Sequence, residues 1–509
     1  MGKKLNEVKY GALLSYFLIF ANAIYSLLIA PFILGTIGES EYGVYKTIAS
    51  LTASVSVLEL GLGGTLQRYT AKFLAESKKQ ECYNFSAMGL IQAGVLSLAM
   101  LLVGIPLFLS IDPVYGATFT AVEMVRAKQL FIIQICYVAF HIFENVISGL
   151  ISGYNRFVFT NGMKIFSLAL KVILYLVVLP IVKNSLAIVS ISLTLEFTII
   201  LMEYLYLRFA LRHKIKLDHW DKKLFRESFG YTALLFIQSI IIQFNGNVDN
   251  VVIGAVIGTA AVALYSFAIQ IYNIYEQCAT SISSVLLPTV IHSLHEDDSV
   301  ENMEKMVIHF GRVQWMVLGA VLFGFLCLGK EFFDLWLGNR LGADVKDCWY
   351  LSVILMVPVT FPLIVNVCLA ILKAKNLLKF RTVAMGYSLI FNILFTILGT
   401  KLTGDYYLAA IGTAVSTLIG SFISLNIYYN KKLKIRMIRV YFKIFHRILP
   451  CLLVASAVCL LLNCWIGGSW LMLIIKGLAF VLVYGILLLV FGLEETERNS
   501  LLKRRRASL

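Results

Sequence analysis

The sequence APFILGTIGESEYGVYKTIASLTASVSVLELGLGGTLQRYTAKFLAE, residues 30–76, decides the fold class of this chain. It holds the end of one apolar segment, a short polar turn, and a second apolar segment that runs as far as Arg68. Both segments stay largely apolar around the helix for several turns, whereas a transmembrane β-strand alternates apolar and polar residues. The stretch therefore predicts two successive transmembrane α-helices.

Similar segments recur along the chain of 509 residues, which is 59% hydrophobic and 14% charged, with a mean hydropathy of +0.82. A soluble chain carries about 25% charged residues, and a membrane-spanning helix needs about 20 mostly apolar residues. We predict an all-α polytopic membrane protein with about 14 transmembrane helices. The predicted spans are approximately 10–34, 44–66, 85–110, 129–151, 163–182, 186–208, 229–247, 259–291, 312–330, 349–373, 382–400, 406–429, 448–466 and 468–492.

The Lys and Arg residues test this layout, because they concentrate in the cytoplasmic loops of membrane proteins. With the N-terminus inside the cell, 34 of the 44 Lys and Arg residues fall in inside segments and 8 in outside segments. We therefore expect both termini in the cytoplasm. The net charge of +15 then reflects this orientation and contact with anionic membrane lipids, and we expect no nucleic-acid partner, because no soluble domain carries a basic patch.

Signatures of catalysis and metal binding are weak. The nine cysteines are scattered and form no CxxC pair, so we expect no metal and no cofactor. The sequence has no GxxxxGK[ST] phosphate-binding loop. The predicted outer loops hold few carboxylates, among them Asp112, Glu123 and Asp334. We predict that the protein is not an enzyme.

An internal repeat suggests two lobes. ILGTIGESEYGVY (33–45) and IGAVIGTAAVALY (253–265) share four residues at equal offsets, and each lies between the first and second helix of a six-helix unit. This predicts two six-helix lobes in parallel pseudo-repeat, with two C-terminal helices appended. The predicted domains are an N-lobe at 1–211, a cytoplasmic linker at 212–228, a C-lobe at 229–430, a basic cytoplasmic loop at 431–447, helices 13 and 14 at 448–492, and a basic cytoplasmic tail at 493–509.

Residues 30–76 resemble the start of the bacterial polysaccharide transporter family, the O-antigen and capsule flippases. The resemblance rests on an apolar-Gly-x-x-Gly-x-x-x-Tyr-Gly-x-Tyr turn, on the LELGLG motif at 58–63, and on an Arg-Tyr pair that ends the second helix. In the second lobe, the residues from Asp249 to Tyr265 look like the matching pattern. This family belongs to the multidrug/oligosaccharidyl-lipid/polysaccharide exporter (MOP) superfamily.

The resemblance implies a transporter that works by alternating access. Its expected role is to flip undecaprenyl-pyrophosphate-linked oligosaccharide from the cytoplasmic to the outer leaflet of the bacterial inner membrane, for O-antigen, capsule or exopolysaccharide synthesis. Expected partners are this lipid-linked substrate and membrane lipids, with a polysaccharide polymerase and a chain-length regulator. The alternatives are a cation-coupled multidrug extrusion antiporter or a lipid II-type flippase, and then a membrane glycan polymerase or ligase.

Four residues are predicted to bind substrate. A charge at a helix centre costs about 2.5–3.5 kcal/mol on the insertion scale and therefore faces protein or water. Lys171, deep in the fifth span, is predicted to bind pyrophosphate or an acidic sugar, with an ion pair to Glu144 as the alternative. By the resemblance, Arg68 receives the substrate phosphate, unless it only anchors the helix end. Tyr265 and Tyr272 share one helix face that suits stacking on sugar rings or packing in the core.

Four carboxylates are predicted to couple ions or gate the pathway. Glu196 lies mid-helix, where a buried carboxylate readily takes up a proton or another cation, although an ion pair is the alternative. Glu59 lies in LELGLG, where glycines 61, 63 and 64 suit a bend or an unwound segment. Asp249 lies in a polar cluster that also suits a plain outer loop. Glu144 lies within the fourth span, where hydrogen bonding between helices is the alternative.

Overall fold

The computed structural model of the chain describes residues 2–56, 61–375, 377–465, 468–494 and 497. These residues form helices and short connections, without a β-strand among them, so the predicted all-α class is confirmed. The helices of the first half are α1 (Gly2–Ile37), α2 (Glu39–Val55), α3 (Leu62–Ala75), α4 (Lys79–Tyr115), α5 (Ala121–Gly153), α6 (Phe157–Val182) and α7 (Ser185–Leu205).

The second half also consists of helices joined by short connections, and three of its helices, α12, α14 and α15, are short. Its helices are α8 (Lys222–Val256), α9 (Thr259–Glu296), α10 (Val300–Leu341), α11 (Val345–Ile364), α12 (Val367–Ala374), α13 (Leu378–Thr403), α14 (Tyr407–Thr417), α15 (Leu425–Tyr428), α16 (Met437–Trp465) and α17 (Trp470–Leu487). Wider π-helical turns follow or join several of them, at Tyr206–Ala210, Leu418–Ser424, Tyr429–Leu433 and Leu488–Gly492.

Eleven helical segments in the described part of the chain are long and apolar enough to cross a membrane. Each coincides with one of the predicted spans. The three other predicted spans fall on α8, on α9 and on the α2–α3 pair, which are helical but are not among the eleven. The protein is therefore a multi-pass membrane protein, and the count of 14 spans stays a prediction.

The second predicted span is interrupted at its glycines, as the sequence suggested. α2 and α3 are separate helices, and α3 follows Gly61, whose φ of 62° lies in the left-handed region that favours glycine. Beyond the break, Gly63 and Gly149 let α3 approach α5 closely, because a Cβ atom on Gly149 would lie 2.3 Å from the Gly63 carbonyl oxygen. The predicted bend is confirmed.

The structure divides into two compact units, and the first comprises residues 1–263 and 400–406. Within it α5 is central, because it packs against α2, α3, α4 and α7. Buried apolar side chains form one cluster around Phe131 and another around Ile147, both on α5. α8 packs along α2 in the same unit. These contacts enclose the polar residues that α5 carries between its apolar ones.

The segment that follows α7 lies outside the candidate membrane spans. Hydrogen bonds hold it against the first unit. His213 is buried, and its ring nitrogens hydrogen-bond with the Tyr154 hydroxyl at 2.7 Å and the Ser86 hydroxyl at 2.8 Å. Nearby, the Asn84 side-chain oxygen accepts a hydrogen bond from the backbone N–H of Asp218 at 2.8 Å. Burial lowers the pKa of His213 to about 4, so this ring is neutral at pH 7.

The second unit comprises residues 264–399 and 407–509. Its central helix is α10, against which α11, α16 and α17 pack. Trp315 on α10 and Ile371 on α12 belong to its main hydrophobic cluster. The boundaries predicted for the lobes, the linker, the basic loop and the tail stay predictions.

Two buried ion pairs join helices of the second unit. The Arg312 guanidinium on α10 is almost fully buried and donates to both carboxylate oxygens of Glu497, each at 2.9 Å. The Lys476 ammonium on α17 lies 2.6 Å from Glu331 on α10 and 2.7 Å from the Asn463 side-chain oxygen on α16. Each cation therefore has its counter-ion and hydrogen-bond acceptors in place.

Candidate functional site

A cavity of about 410 Å³ lies among α1, α2, α5, α6 and α7 of the first unit. Small-molecule sites in proteins occupy about 300–1,000 Å³, so this cavity is large enough to hold a ligand. Its wall combines aromatic rings, hydroxyl and amide groups and two basic side chains. The residues that define its chemistry are Tyr25, Tyr45, Tyr137, His141, Lys171 and Tyr175.

Hydrogen bonds between helices fix the polar part of the wall. The Thr52 hydroxyl on α2 donates to the Gln134 side-chain oxygen on α5 at 2.9 Å. The Tyr175 hydroxyl on α6 lies 3.1 Å from the Ser192 hydroxyl on α7. Polar groups buried in a membrane protein gain stability from such bonds between helices. The wall is therefore held by α2, α5, α6 and α7 together.

One face of α5 carries much of the site. Gln134, Tyr137 and His141 recur at intervals of three and four residues, which places them on the same side of the helix. The Tyr137 and His141 rings stack, with their centroids 5.9 Å apart and an angle of 11° between the planes. This stacking orients the imidazole at the edge of the cavity.

Lys171, predicted to bind an anionic group, lines the cavity from α6. No hydrogen bond or ion pair within 4 Å holds its ammonium group among the residues that the structure describes. Its charge interacts with that of Glu196 on α7. Glu144, the alternative partner, instead lies near His141 and interacts with Lys164. A lysine on a cavity wall without a counter-ion in contact is suited to an anionic ligand.

Three ionisable side chains meet beside this lysine. His141 Nδ1 lies 2.7 Å from Glu196 Oε1 and 3.8 Å from Glu144 Oε2, and one polar atom from each side chain lies within 4.8 Å of the other two. Both carboxylates are buried, with 3% of Glu144 and 6% of Glu196 exposed. Glu144 Oε2 has no hydrogen-bond partner, and neither carboxylate oxygen of the buried Glu203 has one.

The other predicted site residues lie outside the cavity wall. Arg68 is exposed on α3, and Asp249 is buried on α8. Tyr265 on α9 is fully buried in the second unit, whereas Tyr272 on the same helix is partly buried. Glu59 lies outside the described residues. The structure therefore places Lys171, Glu196 and Glu144 near one another, and the roles of all the predicted site residues stay predictions.

The four cavity tyrosines were not among the residues singled out from the sequence. Tyrosines of membrane proteins also concentrate at the two membrane interfaces, so their presence in a span does not identify a cavity. A stronger signal was available on α5, where Gln134, His141 and Glu144 place three polar side chains along one stripe of an otherwise apolar span. Such a stripe indicates a face turned toward protein or water.

The fold is similar to solved membrane transporters. The lipid II flippase MurJ, in an inward closed conformation, matches with a TM-score of 0.70 at 15% identity, covering 94% of this chain and 97% of that chain. A multidrug resistance MATE family transporter of the MOP superfamily, in an inward-facing conformation, matches with a TM-score of 0.59 at 15% identity, covering 81% and 98% of the two chains. The fold is thus similar to that of solved MOP-superfamily transporters.

The sequence itself identifies the family. The family described as polysaccharide biosynthesis protein matches residues 37–345, more than half of the chain, and the chain belongs to that family. No curated protein sequence matches this chain. The polysaccharide family suggested by residues 30–76 is confirmed at the level of polysaccharide biosynthesis, and the fold is like that of solved MOP-superfamily transporters.

Proposed function

We propose that this transporter is a flippase for undecaprenyl-pyrophosphate-linked oligosaccharide, which it moves from the cytoplasmic to the outer leaflet of the bacterial inner membrane by alternating access between two lobes. Its family supports a role in polysaccharide biosynthesis. The observation that carries the proposal is the cavity of about 410 Å³, in which Lys171 lies among tyrosine rings within a multi-pass membrane protein.

The chemistry of the cavity matches a sugar head group that carries negative charge. Sugar hydroxyls and pyrophosphate lose their hydration in about 30 Å of hydrocarbon and need replacement hydrogen bonds. The tyrosine rings offer faces for sugar rings, while hydroxyl and amide groups offer hydrogen bonds. Lys171 provides the positive charge for a pyrophosphate or an acidic sugar. The polyprenyl tail stays in the lipid.

The remaining predicted residues have supporting roles in this flippase. An inside-negative potential favours outward movement of each negative charge by about 2.3 kcal/mol per 100 mV, and bound cations add to this drive. Further substrate contacts are assigned to Arg68, Tyr265 and Tyr272, and ion coupling or gating to Glu196, Glu144, Asp249 and Glu59. A polysaccharide polymerase and a chain-length regulator then use the flipped product.

The test is the appearance of an undecaprenyl-pyrophosphate oligosaccharide on the opposite face of proteoliposomes. The comparison includes the wild-type protein, Lys171→Ala, Arg68→Ala and the control Lys401→Ala, which removes an exposed lysine of α13. We expect transport by the wild type and the control, and its loss in Lys171→Ala at equal folding and insertion. Transport that is unaffected in Lys171→Ala contradicts the site assignment but not the flippase.

A second candidate function is cation-coupled extrusion of organic cations. The observation that favours it is the pair of buried carboxylates, Glu144 and Glu196, close to the cavity. If the proteoliposomes flip no lipid-linked sugar but extrude an organic cation in exchange for protons or sodium, the multidrug antiporter replaces the flippase.

A further inference from the structure

We propose that His141, Glu144 and Glu196 bind one divalent transition-metal cation of the Zn²⁺ type at the edge of the cavity. The scattered cysteines alone predict no metal site. This site instead combines two side chains of α5 with one of α7. Metal binding is measured on the purified protein without any transported molecule, so the proposal stands apart from the flippase assignment.

The geometry of the three side chains is close to that of a metal site. Zn²⁺ binds imidazole nitrogen and carboxylate oxygen at about 2.0–2.2 Å, so neighbouring ligand atoms in a tetrahedron lie about 3.3 Å apart. The His141 nitrogen lies 2.7 Å from Glu196 and 3.8 Å from Glu144, with all three atoms within 4.8 Å of one another. The two separations from His141 bracket the ideal value, so the three donors are near enough to share one ion.

The donor set indicates which ion this is. Mg²⁺ and Ca²⁺ select sites made of oxygen ligands, whereas an imidazole nitrogen beside carboxylates suits Zn²⁺ and similar transition metals. A His and a Glu three residues apart on one helix, completed by a Glu from a facing helix, is also how helical bundles build metal sites in their interiors. α5 and α7 pack closely against each other, which provides that arrangement.

Glu144 provides independent support for a ligand at this position. Its Oε2 atom is directed toward His141, has no hydrogen-bond partner, and belongs to a side chain that is 97% buried. An unsatisfied buried carboxylate oxygen is costly, and a cation coordinated between Glu144 and Glu196 removes that cost.

The site is also accessible from the cavity, and metal binding there is coupled to protonation of its ligands. The His141 side chain is 35% exposed and lines the cavity, so an ion reaches it from there, and a fourth coordination position is left for water. One hydrogen lies between Nδ1 and Glu196 Oε1 in the present structure. The metal takes the place of this hydrogen, which moves to Nε2 when the imidazole is neutral and leaves to solvent when the imidazole or a carboxyl group is protonated beforehand, so affinity increases with pH.

The test is titration of the full-length protein with Co²⁺, purified without a polyhistidine tag and held in lipid nanodiscs. Co²⁺ reports its coordination through visible absorption, and Zn²⁺ competition then gives the Zn²⁺ affinity. We expect one ion per chain, displaced by Zn²⁺, with affinity that increases as the pH is raised from about 5 to 7. Loss of a second-shell partner typically weakens a metal site by about 10–100-fold, so we expect His141→Gln and Glu196→Gln to weaken binding by more than about 100-fold.

The matched control is Glu276→Gln, which alters a partly buried carboxylate on α9 of the second unit, outside the three-residue cluster. We expect it to bind Co²⁺ within about twofold of the wild type. Thermal unfolding without metal shows whether each variant is folded. The proposal is overturned if the wild type shows no saturable one-to-one binding, if only protons bind, or if folded His141→Gln binds as tightly as the wild type.

Discussion

The two compact units bury charged side chains in opposite ways. In the second unit the Arg312 guanidinium meets both oxygens of Glu497 and the Gly492 carbonyl, and the Lys476 ammonium meets Glu331, all within 2.9 Å. These cations join helices, and their hydrogen-bonding groups are satisfied. Such pairs hold helices together and leave no charge available to a ligand.

In the first unit several buried charges are incompletely matched, unlike Glu123, whose carboxylate accepts hydrogen bonds from Ser40, Thr120 and Thr259. Lys171 has no ion pair in contact among the described residues, and carboxylate oxygens of Glu144 and Glu203 lack hydrogen-bond partners. Burial of a charge in a membrane span therefore does not by itself identify a binding site. A binding function is indicated where the partners of the charge are missing and a cavity lies beside it.

The largest expected effect comes from breaking a satisfied pair. We expect Arg312→Ala to lower the free energy of unfolding by about 3–5 kcal/mol, because it leaves the Glu497 carboxylate buried without a counter-ion. The double variant Arg312→Met/Glu497→Met removes both charges and is expected to cost less. Reversible unfolding in mixed micelles measures both. A double variant less stable than the single one contradicts a purely structural pair.

A buried group without a counter-ion gives a pH-dependent effect. The pKa of His213 is lowered by burial to about 4, below an unfolded value of about 6.5, so its contribution to stability is complete above pH 6.5 and is lost as the pH falls toward 4. We expect a loss of up to about 3 kcal/mol across this window. His213→Gln is expected to flatten the pH dependence. An unchanged slope in that variant contradicts the assignment to His213.

An intermediate effect is expected at the cavity lysine. Lys171→Met is expected to reduce flipping by at least about tenfold, equivalent to about 1.4 kcal/mol, while leaving the free energy of unfolding unchanged or higher. Proteoliposome flipping and micelle unfolding are measured on the same preparation. A loss of stability comparable with that of Arg312→Ala places Lys171 with the structural cations and removes it from the site.

The smallest effect is expected at a carboxylate that lies outside the three-residue cluster. Glu203→Met replaces a buried group whose oxygens have no hydrogen-bond partner, so we expect the protein to gain about 1 kcal/mol of stability. Unfolding in micelles at neutral pH measures this change. A decrease of similar size shows instead that Glu203 has a partner in solution, and the contrast between the two units then weakens.

Most of the fold can be predicted from the sequence, because the membrane restricts how the backbone satisfies its hydrogen bonds. Each apolar segment must satisfy its backbone internally, so its length and hydropathy predict a helix. The break before α3 was also predictable, since Gly61 and its neighbouring glycines interrupt an apolar run. Eleven of the predicted spans are confirmed by helix length and composition.

The candidate site can be predicted from the sequence only in part. Lys171 and Glu196 are visible because a charge in an apolar segment is rare. Whether a tyrosine lines the cavity depends on which face of its helix packs against the neighbouring helices. A single sequence does not show this. The partner of Lys476 lies 145 residues away on another helix, so a single sequence does not show that this lysine is already neutralised.

The contact between Gly63 and Gly149 has a consequence for genetic variation. Every single-base change that replaces a glycine adds at least one carbon atom, and here the nearest backbone oxygen would lie 2.3 Å from it. Random mutagenesis followed by selection for surface polysaccharide should therefore deplete missense alleles at both codons. Neighbouring codons for lipid-facing residues of the same helices should keep theirs.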